Sequence, residues 1–503
     1  MNNRTDAYPH SLIIPLFKNE LLGKSLEKIA NVIGIDSELL QSEFKAEFKE
    51  VQSIYAVNRR KPDLKKVYLL GLGTTSNTGD LLDAFRSLGK RTNGKMSNTV
   101  GLELFLSNAP RRSEMVKNLV EAATNGLLLS QYNIGIYKTN DSESNNQPTD
   151  KKDYTLHVFA ESRFDNIVHS AIHKGEVLAK AQLSVFDLVN GASNSITPQK
   201  LGEWAEVSGK EHQYKVTVFQ KEQIEELGLH ALLGVNRGSE YPPTFLVMEY
   251  LPQNHQEGNS PLPKIGIIGK GVTYDTGGLS IKTVNMQYMK SDMAGAAAVL
   301  GTMQAAATLQ LPIHLIGVIP ATDNCVDAKA IKPGDVISSY AGKSIEVDNT
   351  DAEGRLILAD ALAYIHRNFK PDVMIDLATL TGSCVATFGY KVAGLFSNNQ
   401  DLAKRLYDAG QQTGEYLWQL PIWDVYKKAI ASDIADLKNN NQPPVAGAIA
   451  AAKFLEVFIE NHKAWAHLDI AGTAFGDSEY SGQKSATAYG VRLLIAYLEQ
   501  SIK

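Results

Sequence analysis

Two short stretches of this chain concentrate residues that can do chemistry. In the first, from Lys264 to Ala298, Lys270, Asp275, Lys282 and Asp292 stand among Gly271, Gly277, Gly278, Gly295 and other small residues. A strand ending near Ile268 and opening into a glycine-rich loop places side chains at the carboxyl edge of an α/β sheet, where sites tend to form. Asp292 to Ala298 reads as the start of a tightly packed helix with an acid in its first turn, which by itself needs no more than the helix dipole to explain it. The second stretch is Asn349-Thr350-Asp351-Ala352-Glu353-Gly354-Arg355-Leu356. Asp351 and Glu353 are two apart, so an extended backbone turns both carboxylates to one side. The helical pattern from Asp360 to His366 places these acids on a strand or loop leading into a helix. Taken alone, this stretch reads equally well as an exposed acidic turn with an arginine partner.

Brought to one site, Asp275, Asp292, Asp351 and Glu353 carry a formal charge of about −4, which repulsion does not allow without raised pKa values or bound cations. Two divalent ions neutralise it. Ligation rich in oxygen, without Cys or His, suits Mn²⁺ or Mg²⁺ by hardness, and Zn²⁺ through carboxylates and one nitrogen. Lys270 supplies that nitrogen if the metals depress its pKa, and is otherwise a counter-charge. Two metals about 3.5 Å apart hold one hydroxide between them and polarise a carbonyl, which is the chemistry of hydrolysis.

Other patterns fail on inspection. Gly269-Lys270-Gly271 lacks the spacing and the Ser or Thr of a phosphate loop, and Gly71-Leu72-Gly73 has Ser76 where a dinucleotide fingerprint has its third glycine. There is no Gly-x-Ser-x-Gly nucleophile elbow. His169 and His173 are four apart on a helical stretch, but Ser170 stands where a zinc peptidase has its Glu, so they read as ordinary helix histidines. The basic clusters Arg59-Arg60-Lys61 and Lys90-Arg91 read as solvated surface.

The elements that must position the two stretches form an α/β rhythm. Strands are expected at Lys66–Gly71, Tyr132–Tyr137 and Tyr154–Ala160, with a helix over Ala109–Leu129 and a polar surface loop over Asp141–Asp153. A helical stretch from Asp165 to Val189 runs into turn formers up to Pro198, so the expected division is an N-terminal domain over 1–164, a linker over 165–195 and a catalytic domain over 196–503. In the larger part, strands are expected at Tyr214–Phe219, Thr244–Glu249, Lys264–Ile268, His314–Ile319 and Pro371–Leu377, separated by room for crossover helices. The 503 residues suffice for two to four domains. Lys+Arg 50 against Asp+Glu 55, a net charge of −5, gives no global field for nucleic acid or anionic membrane. Cys325 and Cys384 are the only cysteines, which excludes a disulfide scaffold and suits a reducing compartment. With no secretory signal at the polar N-terminus and no run of roughly 20 apolar residues, a cytoplasmic protein is expected.

The segment Gly269-Lys270-Gly271-Val272-Thr273-Tyr274-Asp275-Thr276-Gly277-Gly278, the element Ser291-Asp292-Met293 and, above all, the octapeptide Asn349 to Leu356 resemble the cytosolic leucyl aminopeptidase family, the M17 metallopeptidases. Ala378-Thr379-Leu380-Thr381-Gly382 and Trp465-Ala466-His467-Leu468-Asp469-Ile470-Ala471-Gly472 extend the resemblance, which covers roughly residues 165 to 503. It implies a smaller, macro-like N-terminal α/β domain, a larger catalytic α/β domain with a mixed, saddle-shaped sheet, and a homohexamer whose sites face an interior cavity open to short peptides.

The resemblance also implies two divalent metal ions, Mn²⁺ or Zn²⁺, one held by Lys270, Asp275, Asp292 and Glu353 and the other by Asp275, Asp351 and Glu353. By the same resemblance Lys282 stabilises the oxyanion, and Arg355 holds a bicarbonate that acts as general base. The substrate's free α-amino group coordinates a metal and approaches Asp292, so an acylated peptide loses that contact. Met289, Thr379, Gly382, Ala471 and Ala474 line an apolar side-chain pocket suited to Leu or Met, and the Leu380 and Gly382 backbone binds the peptide. Thr283 follows Lys282 where the family usually has Pro, and Asn439 to Ala446 departs from its usual text. A two-metal phosphoesterase is disfavoured because none of the eleven histidines falls in the two stretches. A nucleic-acid-binding regulator or a chaperone, acting without the metals, is the non-enzyme alternative.

Overall fold

The computed structural model describes residues 9–21, 24–56, 63–75, 77–92, 96–97, 99–104, 112–138, 155–253, 261–441, 443–477 and 484–502. The chain divides into two compact units, Met1–Lys180 and Ala181–Lys503, and the division falls inside one helix, Asp165–Asn190. The expected loop at 141–153, the cluster at 59–61 and Ser76 lie outside the described residues.

The first unit is built on a five-stranded sheet of β1 (Ser11–Phe17), β2 (Val51–Tyr55), β3 (Lys66–Gly73), β4 (Thr99–Glu103) and β5 (Thr155–Phe159), in the order β2-β3-β1-β4-β5. All its pairings are parallel except β2 with β3. The core comes from the inner face, Leu12, Ile14, Leu16, Val67 and Leu69, packed against Ile29, Ile33 and Phe44. The expected helix is found at Ser113–Leu129. The expected strand at Tyr132–Tyr137 is not: the Asn133 side chain accepts the Gly135 N–H at 3.0 Å, Lys138 closes a turn onto Gly135, and Ile136 and Tyr137 are left 62% and 60% exposed. An apolar run with no core face to meet and a local side-chain bond to its own backbone folds as a turn.

The second unit carries a nine-stranded mixed sheet. Its strands are β6 (Lys215–Phe219), β7 (Thr244–Tyr250), β8 (Lys264–Gly269), β9 (Gly271–Asp275), β10 (His314–Asn324), β11 (Val373–Ala378), β12 (Ala393–Ser397), β13 (Leu417–Gln419) and β14 (Trp465–Asp469). They run in the order β13-β12-β14-β11-β8-β10-β7-β6, with β9 beside β10. The centre, β14-β11-β8-β10, is parallel, and its strands are near-continuous apolar runs, as burial on both faces requires. Helix Glu353–Phe369 and helix Ala294–Thr308 cover opposite faces. A side chain at Gly266 would meet Ile365 of the first helix, one at Gly317 would meet Met303 of the second, and these two neighbouring register positions alternate across the sheet. A small side sheet of Val336–Ser338, Ser344–Glu346 and Leu437–Lys438 lies apart from the main one.

Candidate metal centre

Lys270 is the single residue between β8 and β9. Its N–H donates to Leu377 O and its carbonyl accepts from Ala296 N, at 3.0 and 2.9 Å, which fixes the backbone between β11 and helix Ala294–Thr308. The side chain is buried, donates to Thr379 O at 2.9 Å, and lies 2.8 Å from Glu353 Oε1 and 2.9 Å from Asp292 Oδ2. On its way it crosses Gly354, where a Cβ would come within 2.6 Å of Lys270 Cε and Nζ. The glycine in the acidic octapeptide is thus space for a lysine 84 residues earlier.

Asp275 ends β9 opposite Asn324 of β10. Its Oδ1 accepts from Gly277 N and Asn324 Nδ2, both at 2.8 Å, leaving Oδ2 to Lys282 Nζ at 2.8 Å. Gly277, at φ +86°, turns the chain back, and the Lys282 N–H closes onto Thr276 O at 2.9 Å. Lys282 Nζ also pairs with Asp351 Oδ1. The octapeptide is clasped to this loop by Thr350, whose hydroxyl donates to Gly277 O at 2.7 Å and accepts from Ser280 N at 2.8 Å.

Two local expectations are corrected. The backbone between Asp351 and Glu353 is not extended: Ala352 has φ −108° and ψ 41°, and Glu353 is the first residue of helix Glu353–Phe369. A turn into a helix start, rather than strand alternation, converges the acids. Asp292 is not in the first turn of an α-helix but near the end of the 3₁₀ segment Met286–Met293, with the α-helix beginning at Ala294. Its Oδ1 accepts the Thr379 hydroxyl at 2.7 Å.

One oxygen from each of Asp275, Asp351 and Glu353 fits within a mutual span of 4.8 Å. Asp292 joins them through Lys270, which touches both Asp292 and Glu353. Burial and the neighbouring Asp275 charge push the Glu353 and Asp351 carboxyls above their ordinary range, and burial, partly offset by Lys270, does the same to Asp292. Burial works against the ammonium of Lys270, but the field of Asp292, Glu353 and Asp275 outweighs it and raises its pKa. Lys282 is likewise raised, with burial opposed first by Asp275. Four carboxylates facing two ammoniums leave a deficit of positive charge. Glu353 Oε2 is buried without a hydrogen-bond partner among the described residues, while Asp292 Oδ2 and Asp351 Oδ1 are held by the Lys270 and Lys282 ammoniums. Three carboxylates converging on a small space, one with an unpartnered buried oxygen among the described residues, offer the donors a hard divalent cation takes, so these residues fit the metals that the sequence implies.

Arg355, on the first turn of the same helix, is 6% exposed. Its Nη1 donates to Asn439 O at 2.8 Å and its Nε has no partner among the described residues. Burial pulls it down to about 10, against the pull of Glu353 and Asp469. Met289 shares the 3₁₀ segment with Asp292 and is half-buried; Thr379, Leu380 and Gly382 follow β11, and Ala471 and Ala474 follow β14. The Thr379 hydroxyl is committed to Asp292, and the Leu380 N–H to Asp469 Oδ1 at 3.2 Å.

Sequence reasoning passed over Asn324, which holds Asp275, and gave no role to Asp469. That acid is fully buried and takes the Leu380, Thr381 and Ala471 N–H groups and the Thr381 hydroxyl, tying the ends of β11 and β14 together. Its place in the Trp465–Gly472 motif was the available signal; Asn324 had none. His169 and His173 are exposed on their helix, and Lys90 and Arg91 donate to the carbonyls of Tyr132 and Lys49.

The catalytic-domain profile of the cytosol aminopeptidase family matches residues 184–495, and its N-terminal-domain profile matches residues 13–141. A probable cytosol aminopeptidase of Chloroherpeton thalassium is 42% identical over 499 residues, covering 96% of each chain, and one of Geobacter sp. is 44% identical over 399 residues, covering 79% of this chain and 78% of its own. Among solved structures, the bottromycin maturation enzyme BotP in complex with Mn superposes with a TM-score of 0.81 at 26% identity, over 99% of this chain and 100% of its own. The chain belongs to the cytosol aminopeptidase family, and is with it a metalloexopeptidase.

Proposed function

We propose that the chain is a dinuclear-metal aminopeptidase that removes an N-terminal residue with a Leu- or Met-like side chain from short peptides in the cytoplasm. The observation that carries this reading is the set of four buried or half-buried acids, Asp275, Asp292, Asp351 and Glu353, outnumbering the two ammoniums among them. Asp275, Asp292 and Glu353 would hold one ion together with Lys270, whose ammonium must give up its proton to ligate, and Asp275, Asp351 and Glu353 would hold the other, Mn²⁺ or Zn²⁺ in each case. Bound there, the ions supply the missing positive charge and Lewis acidity toward a peptide carbonyl and a water.

The chain's own groups do the rest. Asp292, oriented by Thr379, receives the free α-amino group and so selects an unblocked N-terminus. Lys282 is the more accessible lysine, its side chain 19% exposed against 3% for Lys270, and it stabilises the negative charge that develops on the carbonyl oxygen. Arg355, whose buried Nε has no partner among the described residues, holds bicarbonate, the base that takes the proton from the attacking water. Met289, Thr379, Gly382, Ala471 and Ala474 line the side-chain pocket. Leu380 offers the peptide its carbonyl, because its N–H is already taken. The assembly proposed with this reading is the homohexamer that the family resemblance implies, and the exposed Trp418, Trp423, Val425, Ile434 and Val445 are apolar groups that subunit contacts can cover.

The test is hydrolysis of leucine p-nitroanilide and Leu-Gly before and after chelator, with Mn²⁺ or Zn²⁺ restored and an N-acetylated substrate alongside. Metal-dependent cleavage that requires the free amine is expected. Cleavage that persists in the fully stripped protein would sink the reading.

A further inference from the structure

The segment that carries Asp351, Glu353 and Arg355 is irregular from Val347 to Ala352, between the short strand Ser344–Glu346 and the helix that starts at Glu353. Irregular buried backbone has no ladder to hold it, and each of its polar groups needs a partner from elsewhere. Val347 is served by Asp335 and Gly334, and Thr350 by Ser280 and Asn324; Asn439, fully buried and at the end of the paired strand Leu437–Lys438, serves Asp348, Asn349 and Ala352 with one side chain. Its Oδ1 accepts from Asp348 N at 2.9 Å and Asn349 N at 3.2 Å. Its Nδ2 donates to Asn349 O at 2.7 Å and Ala352 O at 3.2 Å. Its backbone N–H donates to Glu346 O at 2.9 Å, and its carbonyl accepts from Arg355 Nη1 at 2.8 Å.

We propose that Asn439 is the positioning residue of this acid and arginine segment, fixing through its side-chain amide the backbone that aims Asp351 and Glu353 and through its carbonyl the guanidinium of Arg355. The chemistry of the position admits little else. Two acceptor sites and two donors are all in use, which is the full capacity that an amide offers in this geometry. An aspartate keeps the shape but sets a carboxylate oxygen against the carbonyls of Asn349 and Ala352, and adds a negative charge beside a cluster already rich in them. Serine is shorter and brings one donor where the amide has two, so at least one of the carbonyls of Asn349 and Ala352 loses its side-chain partner.

This inference rests on the metal reading, and its test separates the two. Mn²⁺ and Zn²⁺ binding to chelator-treated wild type, Asn439→Asp, Asn439→Ser and Asn441→Ala is measured by titration calorimetry, alongside kcat, KM and the melting temperature of the metal-free proteins. Asn441 is the control: it is buried two residues after Asn439, but among the described residues its amide donates to the Pro443 and Val445 carbonyls and not to the acid segment. The expected result is a roughly 10- to 100-fold loss of metal affinity in both Asn439 variants, as for other residues that orient ligands, with kcat lowered more than KM is raised and with Asn441→Ala at the wild-type affinity. A folded Asn439→Ser with wild-type metal affinity and kcat overturns the assignment. So does an equal loss of affinity in Asn441→Ala, or the failure of both Asn439 variants to fold, since either would make the residue merely structural. Wild-type protein that binds no metal defeats the metal reading itself.

Discussion

Gly354→Ala sets two physical effects against each other. Gly354 is the second residue of helix Glu353–Phe369, where alanine is favoured over glycine by about 1 kcal/mol on propensity alone. The structure predicts the opposite sign. The new Cβ would stand 2.6 Å from Lys270 Cε and Nζ and 2.7 Å from Cδ, so the lysine must withdraw by about 0.8 Å to reach the 3.4 Å of ordinary contact. Its ammonium is held at 2.8 Å from Glu353 Oε1, 2.9 Å from Asp292 Oδ2 and 2.9 Å from Thr379 O, and its side chain is only 3% exposed, so water cannot replace what is lost. Disrupting a buried pair of this kind costs roughly 3–5 kcal/mol, which leaves a net loss of roughly 2–4 kcal/mol after the propensity gain. Urea unfolding of the chelator-treated protein, followed by the far-ultraviolet signal, measures it. Leucine p-nitroanilide hydrolysis should fall in parallel, because Asp292 and Glu353 move with the lysine. A Gly354→Ala protein as stable and as active as wild type, or more so, would refute the placement of Lys270 across the glycine.

Glu353→Ala removes the acid shared by both proposed ions and should abolish turnover together with bound metal, measured by elemental content after desalting. Lys282→Ala and Arg355→Ala should instead lower kcat by roughly 10²-fold or more while metal content stays near wild type; lost metal in either would reassign that residue as a ligand. Asp360 is fully buried, accepts from Ala231 N, Leu232 N and Tyr340 N, and is pushed up from 3.8 to about 7 by burial against those donors. The folded chain therefore keeps a proton that the unfolded chain releases near pH 4, and through this group stability declines as pH rises from about 4 to 7, by roughly 2–4 kcal/mol. Asp360→Asn should flatten that decline in urea unfolding at pH 5 and 7.5, and an unchanged slope would show that the carboxyl is ionised throughout.

The sequence by itself determined the ingredients. The near-continuous apolar runs at 264–268, 314–319 and 371–377 specify buried parallel strands whatever their order, because two-sided burial leaves no polar face to encode. The acids and lysines of the two short stretches announced a charge imbalance that raised pKa values or bound cations must relieve, and the octapeptide from Asn349 carried the family. Sequence could not say how the acids meet. Period-two reasoning on Asp351 and Glu353 assumed an extended backbone and left strand or loop open; the chain makes a turn into a helix, and alternation is the same on paper for any two residues two apart. Tyr132–Tyr137 looked like a strand because local apolar content does not reveal whether a core face is waiting. Only the tertiary structure decided which distant groups complete the site: Asn324 on Asp275, Thr379 on Asp292 and Lys270, Asn439 beneath the octapeptide. These are single hydrogen-bonding residues, 49 to 109 positions from the groups they hold. A lone Asn or Thr has no periodicity and no spacing, so its meaning exists only once the sheet has brought its strand ends together.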